Sequence, residues 1–141
     1  MKSKIHIIEV ENNEIQSMEK IIQKIRENKI IYIKNKFHKN EEVLDPIHKN
    51  GPAIILNSSG SSGKPRKCIH NLNNLKLSAA TSGQWLKDQG FELKKCLIFN
   101  TLPLNHISGL MPIFRSQVWE CGYINISPTL IKNSKNFYFL Q

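Results

Sequence analysis

The sequence predicts an α/β fold in which parallel strands are layered against flanking helices. Three observations predict it. Short apolar runs alternate with longer stretches whose apolar residues recur at helical spacing. A Ser- and Gly-rich run, Ser58 to Gly63, sits between two strand-like segments. A second punctuated segment, Leu102 to Gly109, separates a further strand from a further helix. Strands alternating with helices imply crossover connections, and crossovers imply parallel pairing. At 141 residues the chain is long enough for a core that buries about two-thirds of its unfolded surface.

Residues 4–10 read as a strand. Residues 14–28 carry Ile15, Met18, Ile21, Ile22 and Ile25 at helical spacing with polar residues between them. Residues 30–34 form a short strand, and the polar stretch 36–51, with Pro46, reads as a connector. Ala53 to Asn57 is a buried strand feeding the Ser-rich run, and Cys68-Ile69 belongs to the strand after it. Asn71 is placed to cap a helix through Leu72, Leu75, Leu77, Ala79 and Ala80 to Trp85 and Leu86. Gly83 weakens the middle of that helix and Gly90 ends it. Residues 95–101 are the next strand. Residues 108–121 form a helix with Pro112 in its first turns, where proline is tolerated. Gly122 is expected to end that helix before a strand over 123–126. Trp85 and Trp119, in register with aliphatic residues, are expected in the core, and His6, His38 and His48 on the surface.

The run Ser58-Ser59-Gly60-Ser61-Ser62-Gly63-Lys64-Pro65-Arg66 has the composition of a phosphate cradle. Glycines let the backbone approach an anion closely. Successive N–H groups then form an anion-binding concavity, and serine hydroxyls add rotatable donors. Lys64 and Arg66 supply positive charge, and Pro65 stiffens the exit. A flexible Gly/Ser linker has the same letters and remains the alternative. The P-loop of nucleotide triphosphatases is excluded. That motif needs four residues between its glycine and Gly-Lys-Ser/Thr, whereas two separate Gly60 from Gly63, and Pro65 stands where the metal-binding hydroxyl belongs.

A second signature follows: His70, an amphipathic stretch, then Leu102-Pro103-Leu104-Asn105-His106-Ile107-Ser108-Gly109-Leu110. Together the two motifs resemble the adenylate-forming (AMP-binding) superfamily of acyl- and aryl-CoA synthetases. That superfamily carries a Ser/Thr-Ser-Gly-Thr-Thr-Gly-x-Pro-Lys loop, a histidine soon after it, and a Pro-Leu-x-His-x-x-Gly-Leu segment further on. Within it, His106 through Pro112, with Arg115-Ser116 and Trp119, is most similar to the o-succinylbenzoate–CoA ligases of menaquinone and phylloquinone synthesis. The resemblance covers roughly residues 51–128, and residues 1–50 carry no recognisable motif. Serines replace the two threonines at Ser61 and Ser62, Arg66 replaces the usual lysine, and Lys67 stands where glycine is common.

The resemblance implies part of the large N-terminal domain of an adenylate-forming enzyme, with residues 51–141 as its AMP-binding core segment. Ser58, Ser59, Gly60, Ser61, Ser62, Gly63, Lys64 and Arg66 would bind the β- and γ-phosphates of ATP, with Mg2+ shared. His106 would lie beside the acyl carboxylate and the α-phosphate as the catalytic residue, or be a structural histidine capping its turn. Ser108 and Gly109 would line the acyl pocket, or Ser108 would cap the following helix. Coenzyme A would accept the acyl group from the adenylate. Members of the superfamily are far longer, and a ribose-binding Asp motif, a hinge and a C-terminal domain with its catalytic lysine are not found here. The chain ends in the aromatic run 136–141, which reads as a strand cut from its sheet. The expectation is a front segment that does not turn over by itself.

The formal charge is +9. From Pro46 onward Asp88, Glu92 and Glu120 are the only acids, against eleven Lys and Arg, so the positive field falls on the half with the phosphate loop. That suits an anionic small molecule. Nucleic acid is the alternative partner, but the basic residues are scattered and not interleaved with aromatics. A remnant that binds nucleotide weakly is a further alternative. Cys68, Cys96 and Cys121 are an odd, widely spaced set, which argues against a disulfide framework or a zinc site and fits a reducing cytoplasm. No signal peptide or membrane-spanning run is found.

Overall fold

Alternating side chains make Ile5–Val10 strand β1, which buries Ile8 and Val10 and leaves Ile7 exposed. The computed structural model describes residues 4–11, 15–36, 51–58 and 66–126. His6 shares the alternation of Ile8 and Val10 and is half-buried, not on the surface. Helix α1 (Ile15–Arg26) buries Ser17, Ile21 and Ile25, one residue per turn. Ile15 is two positions from Ser17, on the far side of the helix, and is 66% exposed. The Ser17 hydroxyl donates to the Glu9 carbonyl at 3.3 Å and ties α1 to β1.

Helix α1 leads into β2 (Ile30–Asn35), which pairs in parallel with β1 from Ile5↔Ile30 to Val10↔Asn35. Strand β2 reads Ile30-Ile31-Tyr32-Ile33 with all four residues buried, as a strand covered on both faces requires. Strand β3 (Ala53–Ser58) pairs in parallel with β2 through Ile31↔Ile54 and Tyr32↔Ile55. Strand β4 (Arg66–Asn71) pairs with β3 in the opposite sense, giving the order β1-β2-β3-β4. The expected parallel layer is therefore mixed. Only residues 59–65 join β3 to β4, too few for a crossover, so the chain must return antiparallel.

Asn71 caps helix α2 (Leu72–Asp88) as expected, its side-chain oxygen accepting from the N–H groups of Asn73 and Asn74. The buried stripe is Leu72, Leu75, Ala79 and Gly83. Leu77 and Trp85 lie off that stripe and are 66% and 62% exposed, so Trp85 is not a core residue. Gly90, at φ +88°, turns the chain after the helix.

A short 3-10 turn, Leu93–Lys95, leads to β5 (Leu97–Asn100), followed by α3 (Ile107–Trp119) and β6 (Gly122–Asn125). β5 and β6 pair in parallel from Leu97↔Gly122 to Asn100↔Asn125. Pro112 lies inside α3, where the carbonyl deprived of its partner belongs to exposed Ser108. Gly122 does not end this helix. Glu120 does, in the left-handed conformation at φ 55° and ψ 43°. Gly122 instead opens β6, where a Cβ would stand 2.7 Å from the Leu97 side chain.

One apolar core joins the four-stranded sheet to all three helices, with Ile31, Ile54, Ile21, Leu72, Leu110 and Phe114 among its buried members. Each fully buried side chain of this kind contributes about 1.5–3 kcal/mol. Helix α3 crosses α2 at Gly83, where a Cβ would lie 2.5 Å from the Trp119 Nε1 atom. The same indole donates to the Ala79 carbonyl at 2.7 Å. Gly83 is thus a close-approach residue and Trp119 the core tryptophan. The connector within 36–51, apart from Lys36 and Gly51, lies outside the described residues, as do the run 59–65, His38, His48 and the aromatic run 136–141.

Gly83→Ala tests this crossing. Helix propensity alone favours alanine by about 1 kcal/mol. The displaced indole is expected to outweigh that, with net destabilisation of about 1–3 kcal/mol read as a lower urea midpoint. An unchanged or higher midpoint would show that the two helices adjust freely.

Candidate functional site

The β3–β4 hairpin holds the two ends of the Ser- and Gly-rich run together. Ser58 and Arg66 are Cα partners in the ladder, and the Ser58 hydroxyl donates to the Arg66 carbonyl at 3.2 Å. Ser58 is half-buried and Arg66 exposed. The hydroxyl proton of Ser58 closes the hairpin in this conformation, while its oxygen still has lone pairs to offer. Ser59, Gly60, Ser61, Ser62, Gly63 and Lys64 lie outside the described residues. One residue before Ser58, Asn57 is hydrogen-bonded to Tyr32 of β2, the Asn57 amide donating at 2.9 Å.

His106 is the N-cap residue of α3 by its backbone, and Gly109 and Leu110 both donate to its carbonyl at 3.1 Å. Its imidazole makes no capping hydrogen bond, and the residue is exposed. Ser108 is exposed inside the first turn of the helix and is not its cap. The geometry leaves the His106 ring available to a ligand at a helix N-terminus, where unpaired N–H groups and the helix dipole favour anions.

Sequence reasoning missed the residue that holds this turn in place. Asn100, at the end of β5, is 2% exposed. Its amide donates to the Gly109 carbonyl and to the Tyr123 hydroxyl, both at 2.9 Å. Its side-chain oxygen accepts from the Leu102 N–H at 3.2 Å. One buried amide therefore joins β5, β6, the following turn and the first turn of α3. Gly109 presses against the Pro103 carbonyl so closely that any Cβ would overlap that oxygen. The same carbonyl accepts from the His106 N–H at 3.2 Å. Burial pushes the Tyr123 phenol upward, so it stays neutral and donates onward toward Asn125. The signal available in the sequence was an asparagine closing an apolar strand, Leu97-Ile98-Phe99-Asn100, where a turn begins.

Ser58 ends β3 and the His106 turn follows the end of β5, and Leu56 of β3 and Leu104 of that turn belong to the same core. Ligands of α/β sheets gather at such strand ends. Among the described residues, no hydrogen bond joins His106 to Ser58 or Arg66. His70, on β4 opposite Ile54, is half-buried, and burial holds its imidazole below the ordinary histidine value. Trp85, Leu77 and Thr81 line an open groove on α2 that includes none of these residues.

No protein-family model matches the chain. Its structure resembles O-succinylbenzoate coenzyme A synthetase from Bacillus subtilis in complex with AMP, with TM-score 0.52 and 17% identity over 96% of this chain and 37% of that one. It also resembles McyG A-PCP complexed with phenylalanyl-adenylate, with TM-score 0.51 and 20% identity over 94% of this chain and 21% of that one. The fold is that of a segment of the adenylate-forming enzymes. In sequence the chain resembles 2-succinylbenzoate–CoA ligase from Bacillus licheniformis, at 36% identity over 76 residues. That match takes in 54% of this chain and spans 15% of the relative's length.

Two predictions test the site. Asn100→Leu strands the Gly109 carbonyl and is expected to cost about 1–3 kcal/mol. It should lower the thermal midpoint and shift the His106 imidazole resonances in NMR spectra. Resonances unchanged at full stability would show that the amide holds nothing. His70 supplies a pH dependence. Its folded form resists protonation, so as pH falls through about 6.5 the unfolded chain takes up the proton first. Stability present above that pH declines below it, and His70→Gln should flatten this part of the midpoint-against-pH profile.

Proposed function

We propose that this chain carries the phosphate loop and the acyl-site histidine of an ATP-dependent carboxylate–CoA ligase acting on a 2-succinylbenzoate-like aromatic acid. Such an activity belongs to menaquinone or phylloquinone synthesis in the cytoplasm. The observation that carries the reading is His106: an exposed imidazole that caps nothing, at the N-cap of α3, whose first turn Asn100 braces through the Gly109 carbonyl.

The first half-reaction joins the acid to the α-phosphate of ATP and releases pyrophosphate. It needs no general base, because a carboxylate with a pKa of about 4 is already ionised. Its difficulty is the approach of one anion to another. The run Ser58 to Lys64, with Arg66, would hold the β- and γ-phosphates and draw charge from the leaving group. The serine hydroxyls are hard oxygen donors and fit Mg2+, which neutralises phosphate charge when bound. The His106 imidazole would orient the carboxylate beside the α-phosphate. Coenzyme A thiol would then displace AMP. Residues 51–141 form the motif-bearing part in this reading, and residues 1–50 supply β1 and β2 of the sheet that β3 and β4 complete, together with α1.

The match spans 15% of its curated relative, which favours binding without turnover by these residues alone. Amide hydrogen exchange of the purified chain with Mg–ATP tests the assignment. ATP is expected to slow exchange across residues 58–66, and Lys64→Ala to abolish the effect, with no acyl-CoA formed. Unchanged exchange at millimolar ATP would remove the phosphate-loop reading. Acyl-CoA production would remove the incompleteness. Salt-sensitive retention of DNA or RNA without ATP protection would favour the nucleic-acid alternative.

A further inference from the structure

The register of β5 and β6 brings together two cysteines that are far apart in sequence. Leu97 is the Cα partner of Gly122, so Cys96 and Cys121 stand one position earlier at the mouths of two parallel strands. The ladder reaches them: the Gly122 N–H donates to the Cys96 carbonyl at 3.2 Å. Neighbouring strands lie about 4.8 Å apart. That spacing falls within the roughly 4.4–6.8 Å between Cα atoms that a disulfide accepts. Residues at matching positions of parallel strands share a face. Leu97 and Gly122 are exposed, whereas Cys96 and Cys121 alternate with them and are half-buried.

We infer that Cys96 and Cys121 form a thiol–disulfide exchange site that takes a low-molecular-weight disulfide and closes to an intrachain Cys96–Cys121 bond. The Cys96 thiol donates at 3.5 Å to the Glu92 carbonyl in the preceding 3-10 turn. Burial, and then the neighbouring Cys96, push the Cys121 thiol up, which disfavours its thiolate at neutral pH. Cys96, as thiolate, attacks one sulfur of the small disulfide, and one small thiol leaves. A mixed disulfide on Cys96 remains. Cys121, losing its proton to solvent, attacks the Cys96 sulfur and expels the second small thiol. Two protein thiols are oxidised and the small disulfide is reduced to two thiols, so the electrons balance. The mouth of the strand pair is rimmed by the ion pairs Lys94–Glu120 at 2.6 Å and Lys95–Glu92 at 2.7 Å.

The consequence reaches the candidate site. The loop that this bond closes contains β5, Asn100, the His106 turn and all of α3. Closing it restricts the unfolded chain and stabilises that unit. In a reducing compartment such a bond is transient and reports oxidation, as cytosolic disulfides do.

Oxidised glutathione added to the full chain tests the site, with peptide mapping under non-reducing conditions. The expected result is a single Cys96–Cys121 link, a thermal midpoint raised by a few degrees, and full reversal by dithiothreitol. Cys121→Ala should trap a stable glutathione adduct on Cys96. Cys68→Ser should leave the link unaffected. Adducts on wild-type Cys96 or Cys121 that persist unresolved, links to Cys68, or links only between chains would each overturn the inference. None of these readouts depends on ATP binding, so the result stands apart from the ligase reading.

Discussion

The Asn100 amide is the constraint on which the candidate site depends. Buried amides must be satisfied, and this one is satisfied only when four segments meet: the end of β5, the turn after it, the first turn of α3, and Tyr123 of β6. None of those segments is long enough to be stable alone. A displaced α3 would leave a donor unpaired inside the protein, so the arrangement is cooperative. His106 inherits its position from this network without taking part through its side chain.

The rest of the molecule is arranged to bring α3 close enough for that network to form. Gly83 removes the side chain that would hold α2 and α3 apart, and Trp119 fills the crossing with an indole whose N–H finds the Ala79 carbonyl. Gly109 performs the same service at the first turn of α3, against Pro103. The sheet supplies apolar residues from β2 and β3, whose first four residues are all buried. These contacts are short-range, and they convert general burial into one specific crossing.

The β3–β4 hairpin solves a different problem. The Ser- and Gly-rich run leaves β3 at Ser58 and returns to β4 at Arg66, and these two ends are paired. The antiparallel ladder from Ala53↔Asn71 to Ser58↔Arg66 does this, and the Asn71 cap turns the returning strand directly into α2. Strand, loop, strand and helix thus follow with almost no connecting residues. The same half of the chain carries a positive balance. Acids there are few, and Glu92 and Glu120 are held in ion pairs with Lys95 and Lys94.

Much of this was legible in the sequence. Local chemistry announces β1, α1, β2, β3, the Asn71 cap and α2 within a residue or two. Apolar spacing and cap residues act through neighbours a few positions away, and these are present in any short window. Serine, glycine and lysine in one run, and Pro103 to Gly109 in another, likewise identified the two motifs from their own letters. Tertiary structure alone decided the antiparallel return of β4, the roles of Gly83 and Gly122, the exposure of Trp85, and the nearness of Cys96 to Cys121. It alone revealed Asn100. Each of those facts is a relation between residues distant along the chain, fixed by which backbone or side chain arrives opposite. A sequence states which groups need partners, but only packing determines which partners they receive.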